Sequence, residues 1–143
     1  DTTGGDLFGD LELAANAVGI CDDANELVMN YARDTEQGGK KLVEHQLVQL
    51  SIARMNMLTE ALRSFVLRVA WEHDQGSRSA NGVLMVNYST DVVLEVTKLN
   101  MDIHGVYGCR SNPRVDKLVR DAMIWCHLAG DSNLRLKAFS KLN

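Results

Sequence analysis

Four stretches in which apolar residues return every three or four positions, separated by short glycine-containing breaks, constrain this chain more than any other feature. The only proline is Pro113, and the remaining breaks fall at Gly38-Gly39, Gln75-Gly76-Ser77, Gly105 to Pro113 and Gly130-Asp131-Ser132. In the segment 11–36, Leu13, Ala17, Ile20, Ala24, Leu27, Val28 and Tyr31 share one helical face. The segment 42–73 repeats the pattern with Leu47, Leu50, Met57, Ala61, Phe65 and Val69, leaving Arg54, Glu60, Arg63 and Glu72 for the wet side. A helix of that span reaches about 45 Å. Val86, Val93, Val96 and Leu99 mark a third segment, 83–104, whose β-branched content leaves a strand reading open. The fourth, 114–129, follows Asn112 and Pro113, a cap and first-turn pair, and stops at Gly130. A short basic helix over 134–142 completes the series. Long amphipathic segments joined by short turns predict an all-α fold, an antiparallel up-down four-helix bundle.

With 143 residues, 45% of them apolar and 24% charged, the chain has enough apolar material for one packed domain. Residues 1–10, opening Asp1-Thr-Thr-Gly-Gly-Asp, read as a linker remnant, and a start at Asp1 reads as the edge of an excised or processed piece. A net charge of −4 argues against nucleic acid or anionic lipid as partner. No apolar run approaches the roughly 20 residues that span a bilayer. Cys21, Cys109 and Cys126 show no paired spacing, which points to a reducing, cytoplasmic setting. Trp71, Trp125 and the six methionines are read as core or interface filling.

Most catalytic patterns are missing. His45, His73, His104 and His127 sit on separate segments without metal-ligand spacing, so no metal site is expected and they read as core or surface histidines. Glu44-His45 are adjacent and splay apart, unlike the Glu-x-x-His pairs of a di-iron bundle. No nucleophile elbow or phosphate-binding glycine loop is present. Arg110, Arg114, Lys117 and Arg120 form a positive cluster around the fourth segment, where they either meet an acidic ligand or pair with neighbours such as Asp116 and Asp121.

Taken in order, Tyr31-Ala32, the run from Gly39 to Gln49, Arg68-Val-Ala-Trp-Glu-His-Asp74, Gly105-Val-Tyr-Gly108 and Val115-Asp-Lys-Leu-Val-Arg-Asp-Ala122 resemble the C-terminal helical domain of acyl-CoA dehydrogenases. The likeness extends from about residue 11 to residue 136 and agrees with the bundle inferred from periodicity. It implies a domain that packs behind an N-terminal helical and a middle β-domain and forms oligomers through its helices. FAD lies between subunits in that family. The implied reaction, in fatty-acid metabolism, removes a proton beside the thioester carbonyl of an acyl-CoA and passes hydride from the next carbon to the flavin. A glutamate in a Glu-Gly-Thr sequence is the usual base, its pKa matched to the acidified C–H by a dry pocket.

This chain departs from the pattern where the chemistry sits. The base position carries Ala129 and the following threonine position Asp131. The alternative base position, near the start of the first helix, carries Gly9, with Asp10 where the family has arginine. Glu12, one helical turn from Gly9, is the nearest substitute base. Flavin-contact positions are altered too: the family's Arg-x-x-Phe-Gly reads Thr35-Glu-Gln-Gly38-Gly39, its Gln becomes Asp102, and its Gly-Gly pair becomes Gly105-Val106. A carboxylate at Asp102 opposes a diphosphate. Gln46, Arg120 and Asp121 match positions that hold helices together.

The preferred expectation is a domain that is silent in isolation and serves association with acyl-CoA dehydrogenase-like subunits, as a homo- or hetero-oligomer. The competing one is part of an active FAD-dependent enzyme that binds acyl-CoA and takes its base from Glu12, another domain or a partner. A plain helical interaction module without a flavoprotein partner is the third.

Overall fold

The computed structural model describes residues 7–77 and 80–140. Helix α1 spans Leu7–Asp34 and leads into a two-stranded antiparallel hairpin, β1 (Glu36–Gln37) and β2 (Lys40–Lys41), followed by a single 3-10 turn at Leu42–Glu44. Helices α2 (Gln46–Asp74), α3 (Asn81–His104), α4 (Val106–Arg110), α5 (Pro113–Leu128) and α6 (Ser132–Ser140) complete the fold. It is all-α apart from the hairpin. Four long helices carry the core; α6 stands where a short tail helix was expected, beginning two residues earlier than 134, and α4 is additional to the expected plan. Residues 1–6 of the expected linker lie outside the described residues, while positions 7–10 already belong to α1.

Side-chain links fix the helix directions. Asn25 donates to Thr59 and Arg63 to Asp22, so α1 and α2 run antiparallel. Arg54 reaches Glu95 at 2.9 Å and Asn81 reaches Glu72, which sets α3 antiparallel to α2 and hence parallel to α1. Trp125 Nε1 donates to the Leu13 carbonyl at 3.1 Å and Arg114 pairs with Asp23, so α5 runs back along α1. Three of the four basic residues resolve as ion pairs on α5: besides Arg114, Lys117 pairs with Asp121 and Arg120 with Asp116, while Arg110 ends α4.

The strand reading of 83–104 is overturned, since α3 is helical throughout. Its valines owe their place to burial: Val86, Val92, Val93 and Val96 are enclosed, and apolar burial of about 1.5–3 kcal/mol per side chain outweighs a propensity deficit of a few tenths. Buried hydroxyls there donate back one turn, Ser89 to the Met85 carbonyl and Thr97 to that of Val93.

Helix α2 corrects a second expectation. The residues that face the core are Ile52, Met55, Leu58, Thr59, Leu62 and Val69. Leu47, Leu50 and Met57, read from sequence as core, are 80%, 59% and 55% exposed. Both sets repeat at alternating three- and four-residue steps, offset by two positions, or about 200° around a helix. Helix α2 therefore has two apolar faces, and one lies outside the fold. The two tryptophans divide in the same way, with Trp125 buried and Trp71 exposed.

The hairpin replaces the last turn expected of the first helix. Gly38 and Gly39 adopt φ of +62° and +81°, the left-handed values a two-residue turn between antiparallel strands requires. Its register pairs Glu36 with Lys41 and Gln37 with Lys40. His45 Nε2 donates to the Gln37 carbonyl at 2.8 Å and Glu44 accepts from the Lys41 amide at 2.7 Å, tying hairpin to α2.

Candidate functional site

The parallel course of α1 and α3 brings their C-terminal ends to the same side of the molecule, where the hairpin and α4 close a cleft of about 690 Å³. Thr35, Asp102, Gly105 and Val106, four of the positions that the family resemblance implies as altered flavin contacts, line it together with Tyr31, Gln37, His104 and Tyr107. Gly38 occupies the hairpin turn just outside this lining. Asp131 is not brought to the cleft. It precedes α6 and accepts from the Leu134 amide at 2.9 Å, capping that helix. The structure thus divides the positions that the sequence reading grouped.

His104 is the residue that sequence reasoning left without a role. It is 3% exposed, and its ring stacks on Tyr31 with centroids 4.2 Å apart. Its Nδ1 lies 2.9 Å from the Asn100 carbonyl. A carbonyl only accepts, so Nδ1 carries the proton and the neutral ring leaves Nε2 as an acceptor. Nε2 has no protein partner among the described residues. Burial lowers the His104 pKa below the usual 6.5, opposed by the bond to Asn100. The sign of the linkage follows: the folded state disfavours the imidazolium, so its stability is complete above about 6.5 and falls as pH drops toward the lowered folded value. Thermal melts from pH 7.5 to 5 are expected to show Tm declining below about 6.5, with a shallower decline in His104→Phe, which keeps the ring stack and removes the titration.

At the other end of α1, roughly 30 Å away, a cavity of about 430 Å³ is lined by Gly9, Glu12, Leu13, Asn16, Trp125 and Leu128. Gly9, one of the two candidate base positions, lines it, and Ala129, the other, is not in the lining but follows Leu128, which is. Ala129 ends α5 with 1% exposure, and its methyl group has neither a lone pair nor an ionisable proton. Asp10 is committed to an ion pair with Arg135 at 3.0 Å, its side chain 7% exposed. Arg135 also passes over Gly130, whose φ of +86° turns the chain between α5 and α6. Of the three nearby carboxylates, Glu12 alone lines the cavity.

Thiol chemistry is disfavoured at Cys21, where burial pushes the pKa up to about 12, and Cys126 is raised for the same reason. All three cysteines are free. Among the described residues no group of three or more His, Cys, Asp or Glu is placed to hold a metal ion, and no helix is long and apolar enough to cross a membrane.

Residues 9–141 match the family model described as acyl-CoA dehydrogenase, C-terminal domain. The chain belongs to the acyl-CoA dehydrogenase family. This C-terminal domain is similar to cyclohexane-1-carbonyl-CoA dehydrogenase of Geobacter metallireducens, with 29% identity over 113 residues, covering 78% of this chain and 30% of that protein. It is equally similar to the short-chain specific acyl-CoA dehydrogenase of Megasphaera elsdenii, 29% identical over 129 residues, or 90% of this chain and 34% of that one. The solved butyryl-CoA dehydrogenase of Megasphaera elsdenii superposes with a TM-score of 0.88 at 27% identity, covering 94% of this chain and 35% of its own. The domain therefore spans about a third of the length of these relatives.

Members of this family are FAD-dependent dehydrogenases. The cleft of this acyl-CoA dehydrogenase domain does not fit a flavin diphosphate. Its lining contains the carboxylates Glu36 and Asp102 and no lysine or arginine. Lys98 holds Asp102 at 2.6 Å and Lys41 holds Glu36 at 3.0 Å, but neither lysine lines the cleft.

Proposed function

We propose that this domain serves subunit association and does not itself support α,β-dehydrogenation of acyl-CoA. The second apolar face of α2 carries the reading. Leu47, Leu50, Arg54, Met57, Ala61, Ser64, Arg68 and Trp71 follow one another at steps of three and four over seven turns, the spacing with which one helix seats against another. No element of the fold covers the large apolar side chains in this row: Leu47, Leu50, Met57 and Trp71 are all more than half exposed. An aqueous environment does not favour that arrangement, whereas burial against a second helix returns about 25 cal/mol per Å² of apolar surface. The partner we propose is a second copy of this chain or another acyl-CoA dehydrogenase-like subunit. A reducing, cytoplasmic setting suits three unbridged cysteines.

The chemistry supports the same conclusion. General base catalysis contributes about 10² to 10⁴ in rate, and the base position offers a buried methyl group. The cleft that would meet the diphosphate of FAD presents carboxylates to it. Both losses leave the packing between helices intact.

Sedimentation velocity tests the association role. The protein is expected to self-associate at micromolar concentration, or to associate with an acyl-CoA dehydrogenase-like subunit supplied to it. Leu50→Glu with Met57→Glu places two charges in the row and is expected to weaken that association by about 30-fold or more, without loss of helical circular dichroism. Unchanged association in the double variant contradicts the assignment of this face.

A further inference from the structure

The outward row on α2 runs from Leu47 to Trp71, about 36 Å, and all eight of its residues are exposed. Because its steps alternate between three and four, the row has the same spacing read from either end. It can therefore seat a copy of itself in two ways. In a parallel pair each residue meets its own counterpart. In an antiparallel pair the order is reversed, and Leu47 meets Trp71, Leu50 meets Arg68, Arg54 meets Ser64 and Met57 meets Ala61 of the second copy.

The residue identities decide between the two. Parallel packing sets Arg54 on Arg54 and Arg68 on Arg68, which puts like charges together in a contact that must lose its water. It also sets Ala61 and Ser64 on their own small counterparts, leaving those layers underfilled. Reversal removes both faults. Arg54, held by Glu95 of its own chain at 2.9 Å, then lies over a serine, and Arg68, held by Glu72 at 2.9 Å, lays its methylene stem on Leu50 of the second copy. Met57 comes over Ala61, large against small, and Leu47 packs on Trp71. Beside the row, Leu67 is 63% exposed and shares an edge with exposed Ala53, which the reversed order brings opposite it. Glu60 comes near its counterpart by the two-fold axis, where each is held by Arg63 at 3.1 Å. The register is fixed by length: a slip of one heptad leaves either Leu47 and Leu50 or Arg68 and Trp71 with nothing opposite them.

We propose that the occupant of this face is a second copy of the same chain, with α2 packed antiparallel on α2 across a two-fold axis that passes between the Met57 and Ala61 layers. The contact is isologous and closes on itself, so it makes a dimer rather than a filament. This inference rests on the association role proposed above and narrows it, naming the partner, the direction of the helices and their register.

Sedimentation velocity with disulfide trapping of the 143-residue protein tests the proposal, in a background where Cys109→Ser and Cys126→Ala remove the accessible native thiols. The chain is expected to be dimeric at micromolar concentration. Arg54→Cys and Ser64→Cys, both at exposed positions, are prepared separately and mixed under reducing conditions before mild oxidation. Each alone is expected to stay uncoupled, because the reversed order holds its thiol about 15 Å along the helix from its own counterpart. The mixture is expected to form the cross-linked dimer about tenfold or more beyond either variant alone. Coupling of Ser64→Cys to itself but not to Arg54→Cys would mean a parallel pair, and a dimer trapped by neither would place the contact elsewhere; both results overturn the proposal. A chain that stays monomeric yet binds an acyl-CoA dehydrogenase-like subunit through the row would also overturn it, while leaving the association role standing. Failure to associate with either partner would remove the role itself.

Discussion

Leu62→Ala is expected to destabilise the protein by about 2–5 kcal/mol, and Met57→Ala, five residues away on the same helix, by no more than about 0.5 kcal/mol in the unassociated chain. Leu62 is fully enclosed, as is Met55 two turns before it, and Val69 continues the same face two turns on. Removing three carbons there loses their transfer energy and leaves a cavity between long helices that pack along their length and have little freedom to collapse. Met57 lies on the opposite face, more than half exposed. Chemical denaturation at a concentration below that of association measures both. Equal losses at the two positions would contradict the assignment of Leu62 to the buried face of α2 and Met57 to the exposed one.

Arg135→Ala is expected to cost about 3 kcal/mol, most of it from the partner it leaves behind. Asp10 lies in the first turn of α1, buried, with its carboxylate on Arg135. Without the guanidinium that charge stays in a poorly solvated site. The positive end of the α1 dipole offsets part of the penalty, which keeps the loss below the upper range for broken buried pairs. Replacing both partners, Asp10→Leu with Arg135→Leu, removes the charge along with its counter-ion and is expected to recover most of the stability. A double variant as unstable as the single one would assign the loss to packing of α6 rather than to the ion pair.

The all-α architecture was legible because Leu13 to Tyr31 and Val86 to Val96 repeat at helical spacing between clear breaks. The face of α2 was not. Its two apolar rows obey the same period, and no local rule says which of two equivalent stripes meets the core; only the neighbouring helices decide. The hairpin escaped because Glu36-Gln37 and Lys40-Lys41 are polar on both sides and carry no alternation, leaving Gly38-Gly39 as the sole signal. The valines of α3 pulled toward a strand until burial overrode them.

The candidate site was legible in part for a similar reason. Thr35 and Asp102 are 67 positions apart in the sequence, yet they share a cleft because α1 and α3 run parallel and end together. Asp131 follows an antiparallel helix and is carried to the opposite end. The stack of His104 on Tyr31 is a tertiary contact with no local signature: each residue alone reads as ordinary core. Even so, the hydrogen bond from Nδ1 to the carbonyl four residues back could have been anticipated once 83–104 was taken as a helix, since histidine at that spacing reaches the preceding turn.

The proposal that this domain, with buried Ala129 at the proposed base position, does not itself dehydrogenate acyl-CoA meets its most direct test in flavin absorbance. The purified protein is incubated anaerobically with FAD and a series of acyl-CoA thioesters, alongside Glu12→Gln. No bleaching of the flavin band is expected with either protein. Bleaching by the unaltered protein that disappears in Glu12→Gln would contradict the account and place the base on α1.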